Sequence, residues 1–485
     1  MRKTGFIINV FIMTGSMLII RLAGMISNIY ISARAGAEAM GLYHVIFSVY
    51  SFAITVSVSG TGLAATRLIT EQTGKNINAG ILGVIKKCLV VSCSASLFAS
   101  VVLFFGADFI SKSIISDKRC IPALKVLSVS LLPIGASAVL RGCMIAKRKA
   151  TLLTISQITE EFTAILITVI LLKNFSGTPY AYMAMIIGNT VSEILAFVLD
   201  FILCKVMLNK SFGKKEKTPF KKVLEICVPV ALGSYLRAGL VALENVLIPV
   251  KLTEFGMENP LSEYGLIKAM SMQIMLFPTV FIQSFASMLV PEMSEMNAAK
   301  RRNGIRHVSS LAIKATLVFA FASAAVFMKY HDALGMALYK KEKVGLYLGM
   351  LSMLSIPMYL DTVVDSMLKG LNMQMSSLKF NIADSLLRVT AIYLFLPKFG
   401  ITAYIALLYA SELFNLALSL GKLLSVTRLK INLTEYILPP AVCSVLTFIL
   451  IKNIRFSNFV PEIIIFSALY MVISYGYNNL LQRQL

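Results

Sequence analysis

The chain has 485 residues, of which 57% are hydrophobic and 14% charged, and its mean hydropathy is +0.78. A soluble protein of this size needs more polar side chains to cover its surface, so the composition excludes one and points to an integral membrane protein. The net charge of +22 does not imply a nucleic acid partner, because the basic residues sit in short segments between apolar runs, as membrane loops do.

The first apolar run, about residues 7–31, exceeds the roughly 7–15 residues of a signal-peptide core, and no small-x-small cleavage site follows it. It reads as a first transmembrane helix. A helix crosses a bilayer in about 20 apolar residues. On that basis fourteen spans are expected: 7–32, 41–66, 88–106, 121–146, 152–172, 180–204, 223–250, 264–290, 308–328, 344–368, 378–396, 401–421, 435–451 and 460–481. The fold class expected is therefore all-α and polytopic. With the N-terminus placed inside, alternate connections hold about twice as many Lys and Arg on the inside as on the outside. The densest inside segment is "KVMLNKSFGKKEKTPFKK" at 205–222; "KRK" at 147–149 and "KRRNGIR" at 300–306 also fall inside. Both termini are then expected in the cytoplasm. The seven cysteines form no CxxC pair, and three scattered histidines form no cluster, so neither a disulfide framework nor a metal site is implied.

The chain repeats itself. Gly41 and Gly265, Glu71 and Glu295, Pro133 and Pro357, and Phe175 and Phe399 are each 224 residues apart in similar surroundings. Arg141-Gly142 corresponds to Lys369-Gly370 after a four-residue shift, and Ser-Glu recurs at 192–193 and 411–412. A duplicated six-helix unit follows. Six is even, so the copies are parallel, related by an axis along the membrane normal, with a cleft between lobes where transporters place substrate. The domains expected are a lobe over 1–210, a second over 211–430, and an added helix pair over 431–485.

A charge at mid-bilayer costs roughly 2.5–3.5 kcal/mol on insertion scales, so intramembrane charges face the protein interior or water. Arg21 lies in span 1, Glu160 and Glu161 in span 5, Glu193 in span 6, Arg237 and Glu244 in span 7, Asp361 and Asp365 in span 10, Asp384 and Arg388 in span 11, and Glu412 in span 12. Asp361 and Asp365, one turn apart, repel unless a proton, a cation or an arginine intervenes. Asp384 and Arg388 fit a structural ion pair within one helix. Glu193 and Glu412, at matching places in the repeat, fit hydrogen bonds to neighbouring helices. Glu160 and Glu161 fit a solvated cavity edge. Arg21 and Arg237 have no acid three or four residues away on their own helices, which leaves cleft lining or neutralisation by another group, such as Glu244 for Arg237. A guanidinium in a wet cleft suits phosphate, since its planar fork gives two hydrogen bonds. Arg67 and Arg141, near span ends, extend such a basic lining or snorkel to the interface.

The segments "RLAGMISNIYISARAGAEAMGLYH", "YGLIKAMSMQIMLFPTVFIQSFASMLVPEMSE" and "YLDTVVDSMLKGLNMQMSSLKFNIADSLLRV" resemble the stage V sporulation protein B and oligosaccharide flippase family, within the multidrug/oligosaccharidyl-lipid/polysaccharide exporter superfamily. The resemblance covers nearly the whole chain and is most specific around "LVPEMSE"; "GLYH" stands where family members commonly have "GLYQ". It implies two six-helix lobes in a V, alternating access, and a lipid-linked oligosaccharide or peptidoglycan precursor as substrate. It implies that Arg21 and Arg237 bind the diphosphate. It also implies a Na⁺ site in the second lobe, for which Asn381 and Asp384 are the matching residues; Arg388, one turn on, competes for Asp384. Asp361 and Asp365 are further candidates for a Na⁺ or H⁺ coupling site. Two other readings stand beside the flippase: a cation-coupled multidrug exporter of the same fold using Glu244, Asp361 and Asp365, and a non-transporting scaffold for cell-wall synthesis in sporulation. No phosphate loop or nucleophile–base motif is found, so neither an enzyme nor a cofactor is expected. The partners expected are a lipid-linked glycan and membrane lipids, with the chain acting as a monomer.

Overall fold

The computed structural model describes residues 2–58, 60–74, 80–147, 149–175, 178, 180–208, 220–451 and 459–484. Residues 209–219 of the lysine-rich segment and Arg148 lie outside the described residues. Helices are the regular elements, and no strand occurs among the described residues. This is the physical expectation for a chain in lipid, where each backbone polar group needs a partner within its own segment.

Among the described residues seventeen α-helices follow in order: α1 Arg2–Val58, α2 Thr61–Gly74, α3 Ile81–Phe109, α4 Cys120–Ala146, α5 Ala150–Phe175, α6 Ala181–Leu208, α7 Phe220–Glu254, α8 Pro260–Gly265, α9 Met272–Leu276, α10 Thr279–Ala298, α11 Arg302–Tyr339, α12 Glu342–Leu351, α13 Ser355–Gly370, α14 Gln374–Thr427, α15 Leu433–Tyr436, α16 Leu438–Ile451 and α17 Phe459–Gln484. Among the described residues, eight helical stretches are long and apolar enough to cross a membrane, or nine if one bent pair counts as a span. Two of the eight, Ile19–Thr73 and Gln374–Thr427, run to 55 and 54 residues. At about 1.5 Å per residue each would exceed twice the roughly 30 Å of hydrocarbon. Each is broken at a glycine with positive φ, Gly36 (φ 84°) and Gly400 (φ 58°). The expected spans 7–32 and 41–66 fall on either side of Gly36, and 378–396 and 401–421 on either side of Gly400. The last two expected spans fall on the shorter apolar helices Leu438–Ile451 and Val460–Ser474.

Packing groups the chain into an N-terminal unit, Met1–Gly265, and a C-terminal unit, Leu266–Leu485. The N-terminal unit therefore includes α7, which the sequence repeat assigns to the second lobe. The reason is a shared core. Val223 and Cys227 of α7 are buried with Ala64, Leu68, Cys88, Val139, Leu140 and Cys143 from α2, α3 and α4. Around this core, side chains such as Phe98, Phe105 and Phe109 of α3 point outward, with Phe105 77% exposed. A soluble protein would not leave such an apolar face bare.

Gly41 and Gly265, the pair first noticed in the repeat, meet in space. A Cβ on Gly41 would sit 2.0 Å from the Leu261 carbonyl oxygen, and a Cβ on Gly265 would sit 2.0 Å from that of Ala37. Each glycine thus receives the carbonyl four residues before the other, a local two-fold crossing. Small residues at a membrane helix crossing allow this approach of backbones.

In the C-terminal unit, α10, α11 and α13 bury Leu289, Met293, Ile313, Leu317, Tyr359, Val363 and Met367 together. The Tyr359 hydroxyl donates to the Met275 carbonyl at 2.7 Å. The pair α16 and α17 packs on α11 through Ala325, Tyr330, Ile451 and Phe466. A mostly buried ion pair, Lys329–Glu462 at 3.2 Å, fixes α17 to α11, and the Tyr330 hydroxyl donates to the same carboxylate at 3.0 Å.

Candidate functional site

The intramembrane charges fall into four places, three in the N-terminal unit and one in the C-terminal unit. The first is an ion-pair network across α4, α5 and α6. Arg141 on α4 donates from Nε to Asp200 Oδ2 of α6 at 2.8 Å and from Nη2 to Glu160 Oε2 of α5 at 2.5 Å. Glu193 of α6 lies within electrostatic reach of Glu160, Arg141 and Asp200. Asp200 is fully buried, and its Oδ1 has no hydrogen-bond partner. Arg141 is thus held by two carboxylates inside the unit. From sequence Arg141 fits a basic lining or a snorkelling position; the structure gives it to two carboxylates instead, one of them Asp200, which is not among the sequence candidates. The signal was available: an acid near the end of an apolar helix, seven residues after Glu193, lies on the same face.

The second place is an open cavity of about 360 Å³ between α1 and α7. Arg237 lines it with His44, Ser48, Ser51, Thr55, Ser234 and Asn245; Phe47, Ala238 and Val241 supply the apolar part. The α1 hydroxyl residues recur every three or four positions, so they form one face of that helix. Arg237 is exposed, and its cationic head is free to meet an anion. Glu244, two turns along α7, is 3% exposed and does not line this cavity.

The third place is a smaller cavity of about 160 Å³ lined by Ser27, Asn28, Tyr43, Glu161, Thr168 and Asn189 from α1, α5 and α6. Asn189 donates to the Tyr43 hydroxyl at 2.7 Å. Arg21 is exposed on α1 and within electrostatic reach of Glu161. Glu161 lines a cavity, while its neighbour Glu160 is engaged with Arg141. Arg67 is exposed on α2 and lines neither cavity.

The fourth place, in the C-terminal unit, gathers acids from α13 and α14. Asn415 donates to Asp361 Oδ2 at 3.0 Å, and Asp361 Oδ1 is buried without a partner. Asp365 pairs with Lys369 at 2.6 Å and accepts a bond from Ser377. Asn381 donates to the Ser377 carbonyl at 2.8 Å. Asp384 pairs with Arg388 at 3.0 Å and accepts from Ser411 at 2.6 Å, across the break at Gly400. Glu412 lies within electrostatic reach of Asp361, Arg388 and Asp384. The four candidates Asp361, Asp365, Asn381 and Asp384 are therefore neighbours. No group of three or more His, Cys, Asp or Glu arranged to hold a metal occurs among the described residues.

Apolar helices with buried charge clusters and polar-lined cavities define an all-helical, multi-pass membrane protein. The chain belongs to the polysaccharide biosynthesis protein family, whose sequence pattern matches residues 6–248. It is 21% identical over 465 residues to stage V sporulation protein B of Bacillus subtilis (strain 168), covering 93% of this chain and 89% of that one. Its fold is similar to that of lipid II flippase MurJ in an inward closed conformation, with a TM-score of 0.73, 14% identity, and coverage of 97% and 100% of the two chains. It is also similar to an inward-facing multidrug resistance transporter of the MATE family and MOP superfamily, with a TM-score of 0.67, 14% identity, and coverage of 85% and 99%.

Proposed function

We propose that this protein moves a lipid-linked pyrophosphate sugar, an oligosaccharide or a peptidoglycan precursor, from the inner to the outer leaflet of the cytoplasmic membrane. The reading includes fourteen crossings in two parallel six-helix repeats plus a final pair, both termini in the cytoplasm, and alternating access. The observation that carries it is the cavity around Arg237. Its guanidinium supplies the fork that phosphate oxygens accept, and the Ser48, Ser51, Thr55, Ser234 and Asn245 side chains supply neutral hydrogen bonds suited to sugar hydroxyls. Arg21 is the second candidate for the diphosphate. Family membership and the flippase-like fold support the same reading. Asp361, Asp365, Asn381 and Asp384 are the candidates for Na⁺ or H⁺ coupling, supported by the buried, unpartnered oxygen of Asp361.

The test is a flipping assay with purified protein in liposomes, against lipid II and an undecaprenyl-linked oligosaccharide, with and without a Na⁺ or H⁺ gradient. A charge-assisted hydrogen bond contributes about 1.5–3 kcal/mol, so Arg237→Ala should slow flipping roughly tenfold to a hundredfold. Movement of neither lipid, or full activity after Arg21→Ala plus Arg237→Ala, would sink the proposal.

The acid cluster of the C-terminal unit favours a second reading, an exporter of cationic compounds in exchange for H⁺ or Na⁺. Uptake of a cationic dye into the same liposomes, lost in Asp361→Asn, would favour it over the flippase.

A further inference from the structure

The cavity beside Arg237 has a wall of hydroxyls whose hydrogens are already in use. The Ser48 hydroxyl donates to the Val45 carbonyl of its own helix at 2.7 Å, and the Thr55 hydroxyl to that of Ser51 at 2.9 Å. On the facing helix the Ser234 hydroxyl donates to the Val230 carbonyl at 2.9 Å. A hydroxyl has one hydrogen and two lone pairs. With the hydrogen held by the helix, each hydroxyl turns lone pairs to the cavity. Accepting a bond from a ligand adds to what is there, whereas donating one first breaks the bond to the helix. Ser51, exposed between Ser48 and Thr55, turns either way. Donors come from Arg237 and from Asn245, whose amide oxygen accepts the Tyr264 hydroxyl at 3.0 Å and leaves the amide hydrogens for a ligand.

The two walls keep a fixed register. The Tyr235 hydroxyl of α7 donates to the Val56 carbonyl of α1 at 3.2 Å, and Gly239 lies against the Phe52 ring. Numbers rise along α7 as they fall along α1, so the helices run antiparallel. Arg237 therefore stands level with Thr55, with Ser234 to one side and Ser48 to the other. Ser48 and Thr55 are seven residues apart, about 10 Å along the helix, the reach of a phosphate and the sugar ring attached to it. An anion on the guanidinium is thus flanked by acceptors. Phosphate oxygens are acceptors too, so Arg237 is where they fit. The groups on either side of them must donate, as sugar hydroxyls and amide N–H groups do.

Building on the reading of the ligand as a lipid-linked pyrophosphate sugar, we propose that Ser48 and Ser234 are specificity-determining residues. They accept hydrogen bonds from the sugar, so the cavity takes the sugar-bearing lipid in preference to the same lipid pyrophosphate without sugar. The two lipids share a tail and a pyrophosphate. Charge by itself favours the bare one, because its terminal phosphate brings extra negative charge to Arg237. The serines reverse that order. Ser48 and Ser234 offer no hydrogen to the added anionic oxygens, and their lone pairs repel them. Sugar donors fill the same lone pairs. Arg237 holds any lipid pyrophosphate, and the hydroxyl wall distinguishes the loaded carrier from the empty one.

The experiment measures equilibrium binding of three lipids to the purified full-length protein by native mass spectrometry: undecaprenyl pyrophosphate, lipid II and an undecaprenyl-linked oligosaccharide. The wild type should prefer at least one sugar-bearing lipid to undecaprenyl pyrophosphate. Ser48→Ala and Ser234→Ala should each weaken binding of that lipid roughly twofold to tenfold, the effect of one hydrogen bond, and leave undecaprenyl pyrophosphate unchanged. Ser234→Thr keeps the hydroxyl and should keep the preference. Arg237→Ala should weaken all three. A merely structural role for the serines would weaken all three lipids alike in the alanine variants, and that result overturns the proposal while leaving the flippase reading in place. So does a wild type that holds undecaprenyl pyrophosphate as tightly as the sugar-bearing lipids, and so do alanine variants that bind like the wild type. A wild type that binds none of the three sinks the flippase reading and this assignment together.

Discussion

The charge clusters of the two units draw on similar residues and are wired differently. Arg141-Gly142 on α4 matches Lys369-Gly370 on α13 after a four-residue shift, and Glu160 on α5 lies 224 residues before Asp384. Glu193 and Asp200 lie 219 residues before Glu412 and Ser419. In the N-terminal unit the arginine stands on α4 and reaches two other helices, joining three elements through ionic bonds. In the C-terminal unit Lys369 holds that position and pairs with Asp365 one turn back on its own helix, and Arg388 pairs in the same way with Asp384. Contacts between segments there are neutral donors on acids, Ser411 on Asp384 and Asn415 on Asp361. One framework thus carries a staple on one side and a set of lightly held carboxylates on the other. Breaking the staple exposes buried charge, whereas changing the second cluster alters which groups are available to a cation.

The sharpest way to break this contrast is Arg141→Ala. It strands Glu160 and Asp200 and should cost about 3–5 kcal/mol, the range for removing one partner of a buried pair. Arg388→Ala should cost distinctly less, because Asp384 keeps Ser411. Thermal unfolding of both variants in detergent decides; equal losses would remove the distinction. Next, Gly41→Ala and Gly265→Ala should each destabilise by about 1–3 kcal/mol through overpacking. Their reciprocal carbonyl contacts make the two losses similar, and a large inequality in the same melts would contradict the two-fold crossing. Ser411→Ala should cost about 1.5–3 kcal/mol at most, the range for a hydrogen bond to a charged group, and should weaken any effect of Na⁺ on the melting temperature.

The smallest effect lies outside both clusters. Lys341 precedes α12, between membrane segments, and burial pushes its ammonium below the ordinary lysine range. A positive charge at a helix N-terminus is also unfavourable, by about 0.3–1 kcal/mol. With the folded value lowered, the native state binds the proton less well than the unfolded state. Stability should therefore rise with pH through the folded value and level off near the unfolded one. Lys341→Gln should raise the melting temperature slightly at neutral pH and flatten its alkaline dependence.

Much of the protein was legible in the sequence because the bilayer reads the chain through local rules. Apolar length marks where helices lie, and the glycine and proline landmarks point to a duplicated unit. Pairs on one helix, such as Asp384 with Arg388, follow from spacing alone. Arg141 could not be read this way. Its partners sit 19 and 59 residues away, on helices whose rotation and depth are set by packing. The same limit separated Arg237 from Arg141: both are arginines in apolar surroundings, but one opens into a cavity and the other is enclosed by acids.

By itself, then, the sequence determined a helical membrane protein, its segment order and the list of charges that the membrane must accommodate, since burying backbone in lipid leaves few alternatives. Only the tertiary structure decided that α7 shares its core with α2, α3 and α4. It alone showed that Gly41 meets Gly265, and that Glu160 and Asp200 converge on Arg141. Those contacts join residues far apart in the chain. Their physical cause is shape complementarity and charge balance among packed helices, which no local pattern encodes.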